Sequence, residues 1–170
     1  MNEKHTQLDW QLWFYWIMAT TLGWLAGNLL FYGLPFLAAG VAIAAFQWSI
    51  LFKRMPKAWQ WLPYTFLGWF AGYIGSLLLF PQNAAFWSGP LVGLAAGFTQ
   101  WLYLRNKLEL AWWWIPINIL AWTTGISVLP GALTSGTLPG SLTGLTLIIL
   151  LHNTPEKKTN SKKPHESTKK

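Results

Sequence analysis

The fold is decided by the stretch GVAIAAFQWSILFKRMPKAWQWLPYTFLGWFAG (residues 40–72), which recurs without a gap as GLAAGFTQWLYLRNKLELAWWWIPINILAWTTG (residues 93–125). Each copy is an apolar run, a short basic loop and a second apolar run. The identical residues of the first copy are Gly40, Ala42, Gln47, Trp48, Leu51, Ala58, Trp59, Trp61, Pro63, Leu67, Trp69 and Gly72. An ungapped repeat of this length indicates that the chain contains copies of one structural unit.

Shorter matches extend the repeat on both sides. A shift of 45 residues finds identical partners for Trp16, Leu22, Gly23, Trp24, Ala26 and Gly27. A shift of 47 residues does the same for Gly93, Gly97, Thr99, Leu104 and Asn106. The unit is therefore predicted to be a helical hairpin that occurs three times, over about residues 10–52, 58–104 and 110–151.

The chain is 53% hydrophobic and 10% charged, far below the charged fraction of soluble domains. Residues 10–52, 58–104 and 110–155 contain no Asp, Glu, Lys or Arg. Each stretch exceeds the roughly 20 residues of one bilayer crossing, and turn signals divide it near its middle. We therefore predict an all-α integral membrane protein with six transmembrane helices, arranged as three parallel helical-hairpin repeats. The predicted helices are about 10–31, 35–52, 58–80, 86–104, 110–129 and 137–151, the last shortened by Pro139.

The basic residues predict the orientation. Lys and Arg occur only in the two tails and in the loops at residues 53–57 and 105–107. By the positive-inside rule, these loops and both termini are cytoplasmic. Residues 1–9 are predicted to be a cytoplasmic tail, and residues 152–170 a disordered basic tail whose Lys clusters suit anionic lipid. The net charge of +7 thus reflects topology, and no nucleic-acid partner is predicted.

Two copies of the motif G-x-x-x-G-x-x-Q-W-x-x-L carry a resemblance to a family. The second copy has Gly93, Gly97, Gln100, Trp101 and Leu104, and the first has Gly40, Ala44, Gln47, Trp48 and Leu51. In this respect the chain resembles uncharacterised bacterial multi-pass membrane proteins with repeated segments of this kind. The third unit departs from the motif, with Leu147-Ile148 in place of Gln-Trp. The resemblance implies a polytopic membrane protein, and the predicted location is the bacterial inner membrane.

Small residues recur at four-residue spacing along most of the predicted helices. Such stripes let helix backbones approach closely in lipid. They predict packing within the bundle, with self-association as the alternative. The predicted packing residues are Gly23, Gly27, Gly40, Gly68, Gly72, Gly93, Gly97, Gly140 and Gly144.

Of the 14 Trp residues in the chain, all but Trp87 fall into two groups. Most lie near the basic loops or the N-terminal tail and suit an aromatic belt at the headgroups. These are Trp10, Trp13, Trp16, Trp48, Trp59, Trp61, Trp101 and Trp112 to Trp114. Three others, Trp24, Trp69 and Trp122, lie eight residues deeper, or about 12 Å along a helix. They are interpreted either as helix contacts or as a ring of indoles lining a pocket for a flat apolar ligand such as a quinone, pigment or lipid.

Polar groups within the predicted helices are few and uncharged. Gln47 and Gln100 each precede a Trp and are interpreted either as hydrogen-bonding contacts between helices or as a ligand-binding pair. No Asp, Glu, Lys, Arg or His lies in a helix core, and the chain has no Cys, so we predict no catalytic site, no metal site and no cofactor. The leading hypothesis is a subunit, scaffold or assembly partner in a membrane complex. The alternative is a binding or transport module for an uncharged or lipophilic molecule.

Overall fold

The computed structural model describes residues 8–30 and 34–154, which contain helices, turns and no strand. The six α-helices are α1 (Trp10–Leu30), α2 (Pro35–Leu51), α3 (Trp61–Leu79), α4 (Ala84–Leu104), α5 (Trp114–Trp122) and α6 (Thr134–Asn153). Short 3-10 helices precede α3, α4 and α5 at Ala58–Gln60, Pro81–Asn83 and Ala111–Trp113. The predicted all-helical class with six helices is therefore confirmed.

The helices form a closed ring. Each helix packs against the helices before and after it in the chain, and α6 completes the ring by packing against α1. Because consecutive helices alternate in direction, the α2–α3 and α4–α5 loops lie at the same end of the bundle. That end carries the described Lys and Arg residues, namely Lys53, Arg54, Lys57, Arg105 and Lys107.

Glycines bring neighbouring helices close together. A Cβ atom on Gly72 of α3 would lie 2.5 Å from the Val92 Cα of α4, and one on Gly23 would lie 2.6 Å from the Ile43 Cα. The other predicted packing glycines also face a neighbouring element. Gly27 faces Ala39, Gly40 faces Trp69, Gly68 faces Ala96, Gly93 faces Asn118, Gly97 faces Ile115, Gly140 faces Ile17 and Gly144 faces Trp16.

The third unit differs from the sequence-based expectation. Helix α6 begins at Thr134, earlier than predicted, and includes the buried Pro139. A proline in the second turn of a helix removes one backbone hydrogen bond, which leaves most of the helix intact. The ring of Pro139 packs against Gly125, inside a π-helical segment at Thr123–Val128 that continues α5. The sixth helix is thus 20 residues long.

Side-chain contacts join the loops at the basic end. Asp9 and Arg54 form an ion pair, and the Tyr103 hydroxyl donates to the Pro56 carbonyl at 3.1 Å. Partial burial raises the pKa of Asp9, but a hydrogen bond from the Leu12 amide and the Arg54 guanidinium outweigh it, so this pKa is lowered. The Glu109 amide donates to Thr154 Oγ1 at 3.0 Å, which brings the end of α6 to the α4–α5 loop.

Two helical segments, Ala58–Leu79 and Thr134–Asn153, are long and apolar enough to cross a membrane. Pro35–Leu51 is apolar but shorter. Helix α1 contains four Trp residues as well as Gln11 and Asn28, which lower its mean hydropathy. The predicted disorder of the basic tail and its contact with anionic lipid concern residues 155–170, outside the described ranges.

Candidate functional site

Three indoles meet at the axis of the helix ring. Trp16 of α1, Trp61 of α3 and Trp114 of α5 are at most 1% exposed. Their ring centroids are 5.7 Å apart for Trp16 and Trp61, 5.9 Å for Trp61 and Trp114, and 6.3 Å for Trp16 and Trp114. All three pairs are edge to face, an arrangement that contributes about 0.5–1.5 kcal/mol per pair beyond area burial. We call these residues the tryptophan triangle.

Each indole N–H of the tryptophan triangle has an acceptor on an even-numbered helix. Trp61 donates to Gln47 Oε1 at 3.1 Å, and Trp114 donates to Gln100 Oε1 at 2.8 Å. The acceptor of Trp16 is the hydroxyl of Thr143 at 3.0 Å. Burying an indole N–H without an acceptor costs free energy, so these hydrogen bonds constrain the positions of the three rings.

The two glutamine amides complete the network. Gln47 donates through Nε2 to Thr20 Oγ1, and Gln100 donates through Nε2 to Thr65 Oγ1, each at 3.0 Å. Both glutamines are 4% exposed and link three helices apiece. The structure therefore places both predicted residues in helix-to-helix hydrogen bonds. Their role in ligand binding stays a prediction.

The tryptophan triangle corrects the sequence interpretation, which placed Trp16, Trp61 and Trp114 in an aromatic belt. The internal repeat does indicate that these three tryptophans occupy equivalent positions. The shifts of 45 and 53 residues connect these three positions, as they connect Trp24, Trp69 and Trp122. The belt residues Trp10, Trp59, Trp112 and Trp113 are by contrast 46–60% exposed. The same shifts also relate Thr20, Thr65 and Asn118, all of which are buried. Thr20 and Thr65 accept the glutamine hydrogen bonds and were not predicted as site residues.

The deeper tryptophans form a second aromatic layer. Trp69 and Trp122 are 1% and 3% exposed, and their rings meet edge to face with centroids 4.9 Å apart. Trp24 is partly buried and lies 6.3 Å from Trp69, with Phe36 packed against both. This layer is in direct ring contact, so a flat ligand between Trp69 and Trp122 would have to separate them. Ligand binding by these residues stays a prediction.

The polar side chains buried in the interior of the described bundle are uncharged. The buried polar side chains in residues 8–30 and 34–154 are Thr, Ser, Gln and Asn. Within these ranges no three His, Asp or Glu residues come together as metal ligands would. The indole of Trp48 is the one buried side-chain polar group there that has no hydrogen-bond partner. The hydrogen bonds of the described interior are therefore made by uncharged groups.

Comparisons with known proteins give no relative for this chain. No family model matches it, and neither a curated protein nor a solved structure matches it significantly.

Proposed function

We propose that this chain is an integral membrane protein whose six helices all cross the bilayer as three parallel hairpin repeats, with both termini cytoplasmic. The two segments long and apolar enough to span a membrane support this proposal. So does the outer surface, because large apolar side chains are exposed on all six helices, among them Phe14, Phe46, Phe70, Phe98, Leu120 and Ile149. Exposed apolar surface on every side of a bundle is typical of contact with lipid.

Equivalent contacts in the three hairpins support the repeat. Gly27 faces Ala39, Gly72 faces Val92 and Gly125 faces Pro139. The three glycines are related by the repeat shifts of 45 and 53 residues. Their partners are related by the repeat shifts of 53 and 47 residues. Lys57 and Leu110, which are 53 residues apart, are also the two non-glycine residues with positive φ in the described part of the chain. Both occupy the position before a 3-10 helix.

The proposed topology predicts the behaviour of a reporter enzyme that is active only outside the cytoplasm. Fused after Lys170, the reporter is expected to be inactive, because the basic loops and both termini share one side. Inserted between Gln82 and Phe86, it is expected to be active. Activity at both positions would mean an even number of crossings between them, where the proposed arrangement has three, and would contradict the six-span arrangement.

We further propose that the protein acts as a subunit, scaffold or assembly partner in a membrane complex. The observation that carries this proposal is the bundle axis, which is filled by two layers of aromatic rings and a hydrogen-bonded Trp–Gln–Thr network. Transport coupled to protons depends on titratable groups at depth. Here the described charged residues lie in the loops and at the basic end. A rigid, uncharged interior favours a role that depends on the outer surface.

Purification in mild detergent, followed by mass spectrometry of proteins and extracted small molecules, tests this role. A scaffold is expected to retain a protein partner in stoichiometric amount. A matched preparation with Leu78 and Leu79 of α3, 75% and 67% exposed, replaced by Ala examines whether the outer surface holds that partner. Recovery of the chain without any protein partner in native lipid particles would contradict the scaffold role.

One observation favours the alternative, a binding module for a lipophilic molecule. A groove of about 360 Å³ lies between α2, α3, α4 and the π-helical segment. Its lining is mostly apolar and includes Phe36, Tyr73, Leu77, Ser88 and Ile126. A stoichiometric pigment, quinone or lipid in the same purification, without a protein partner, would support this alternative over the scaffold.

A further inference from the structure

A cleft of about 530 Å³ opens at the basic end of the bundle. Its walls come from the α2–α3 loop, the α4–α5 loop and the end of α6. The lining residues that matter here are Arg54, Arg105, Lys107, Met55, Leu108 and Leu151. The volume lies within the range of ligand sites for small molecules.

The rim of the cleft carries more positive than negative charge. Arg54, Arg105 and Lys107 line it, and among the described lining residues the acidic one is Glu109. In the described part of the chain the single ion pair joins Arg54 to Asp9. Arg105 and Lys107 instead lie over aromatic rings, with Lys107 Nζ 3.3 Å from the centroid of Tyr103.

The neighbourhood of Lys107 adds to this surplus. Burial lowers the pKa of Lys107, and the positive charge of Lys57 lowers it further. Two like charges near each other are a cost to the folded protein that a bound anion would offset. Arginine presents a planar fork that matches two oxygens of a phosphate or carboxylate.

The inner wall of the cleft is apolar. Met55 and Leu108 are each 7% exposed and belong to the core cluster that contains the tryptophan triangle. Leu151 packs against the same cluster. An occupant of this cleft would therefore have an anionic group at the cationic rim and an organic group against the apolar wall.

We propose that this cleft binds a phosphate ester, with its phosphate at Arg54, Arg105 and Lys107 and its organic part against Met55, Leu108 and Leu151. Arg54 is already paired with Asp9, so the surplus positive charge comes from Arg105, Lys107 and the neighbouring Lys57, set against the carboxylate of Glu109. A surplus of positive charge of this size favours a doubly charged phosphate monoester over a singly charged carboxylate. The phosphate belongs either to a lipid or to a soluble molecule, since both carry the same group. This inference does not depend on the proposed scaffold role.

The test uses the full chain with two probes. Glycerol 3-phosphate, titrated by calorimetry in neutral detergent, represents the soluble source. Phosphatidic acid, compared with phosphatidylcholine alone in nanodiscs and followed by thermal unfolding, represents the lipid source. We expect saturable binding or stabilisation with at least one probe, and the probe that binds identifies the source. No effect of either probe would overturn the proposal.

Charge-matched variants locate the binding. The double variant R105Q/K107Q is expected to weaken binding at least about tenfold, because charge-assisted hydrogen bonds to both residues are lost. The double variant K162Q/K163Q removes the same charge from the C-terminal tail, whose Lys residues are predicted to contact anionic lipid. Its control measurement therefore uses glycerol 3-phosphate, whose binding is expected to stay within about twofold. Equal weakening by both double variants would mean non-specific attraction and would overturn the proposal.

A third variant distinguishes a direct effect on binding from an effect of misfolding. Glu109→Gln removes the carboxylate from the cleft and is expected to tighten binding about threefold or more, a gain that an unfolded protein cannot show. Unchanged or weaker binding by a Glu109→Gln protein with normal thermal unfolding would overturn the cleft as the site.

Discussion

Replacing Trp61 by Ala is expected to lower the free energy of unfolding by about 3–5 kcal/mol, the usual range for a large aromatic side chain lost from a core. Trp61 is fully buried and contacts the rings of Trp16, Trp114 and Tyr103, with centroids between 5.7 and 5.9 Å away. Its removal leaves a cavity on the bundle axis. The Oε1 atom of Gln47 also loses its indole donor.

The matched control for this variant is Trp59→Ala. Trp59 lies two residues earlier, at the start of the same helical segment, and is 60% exposed. Its replacement is expected to change the free energy of unfolding by about 0.5 kcal/mol or less. Both variants are measured by reversible unfolding in mixed micelles with increasing denaturing detergent. A loss for Trp61→Ala no larger than that for Trp59→Ala would contradict the central position of Trp61.

Replacing Gly72 by Ala is expected to cost about 1–3 kcal/mol through overpacking. The added Cβ would lie 2.5 Å from Val92 Cα and 2.7 Å from the Leu91 carbonyl oxygen. Both are backbone atoms of α4, so a side-chain rotation cannot relieve the clash. Helices α3 and α4 would have to move apart and give up contacts along their shared face.

Gly75, one turn further along α3, provides the control. A Cβ on Gly75 would meet no atom within 4 Å. Gly75→Ala is therefore expected to be neutral or stabilising by up to about 1 kcal/mol, since Ala favours a helix more than Gly does. The comparison uses the same micelle unfolding experiment. If Gly75→Ala destabilised the protein as much as Gly72→Ala, the close α3–α4 approach would be refuted.

Several elements of the candidate site followed from the sequence. The repeat indicates Gln47 and Gln100, and the structure brings each of them to a buried indole. It did not reveal their partners, because Thr20 and Thr65 lie on other helices and stand out only once the helices are packed. The third unit has no glutamine at the corresponding position, so the repeat did not predict that Trp16 donates to Thr143.

The positions of the six helices, to within a few residues, and the basic end of the bundle could be predicted from the sequence alone. Helix positions follow from uncharged runs between turn signals, and the basic end follows from loops that alternate with pairs of helices. Glycine spacing also indicated a close-packing face for most helices. These are local properties of the chain, and they do not depend on how one helix rotates against another.

Which tryptophans occupy the axis follows from how the helices pack and could not be predicted from the sequence. In a chain with apolar residues on every helix face, hydrophobicity does not distinguish the inner face from the outer one. Trp59 and Trp61 illustrate this, since both belong to the repeat, yet one is 60% exposed and the other is fully buried. The rotation that separates them is set by contacts between helices, namely the meeting of three indoles and the hydrogen bonds that their N–H groups require.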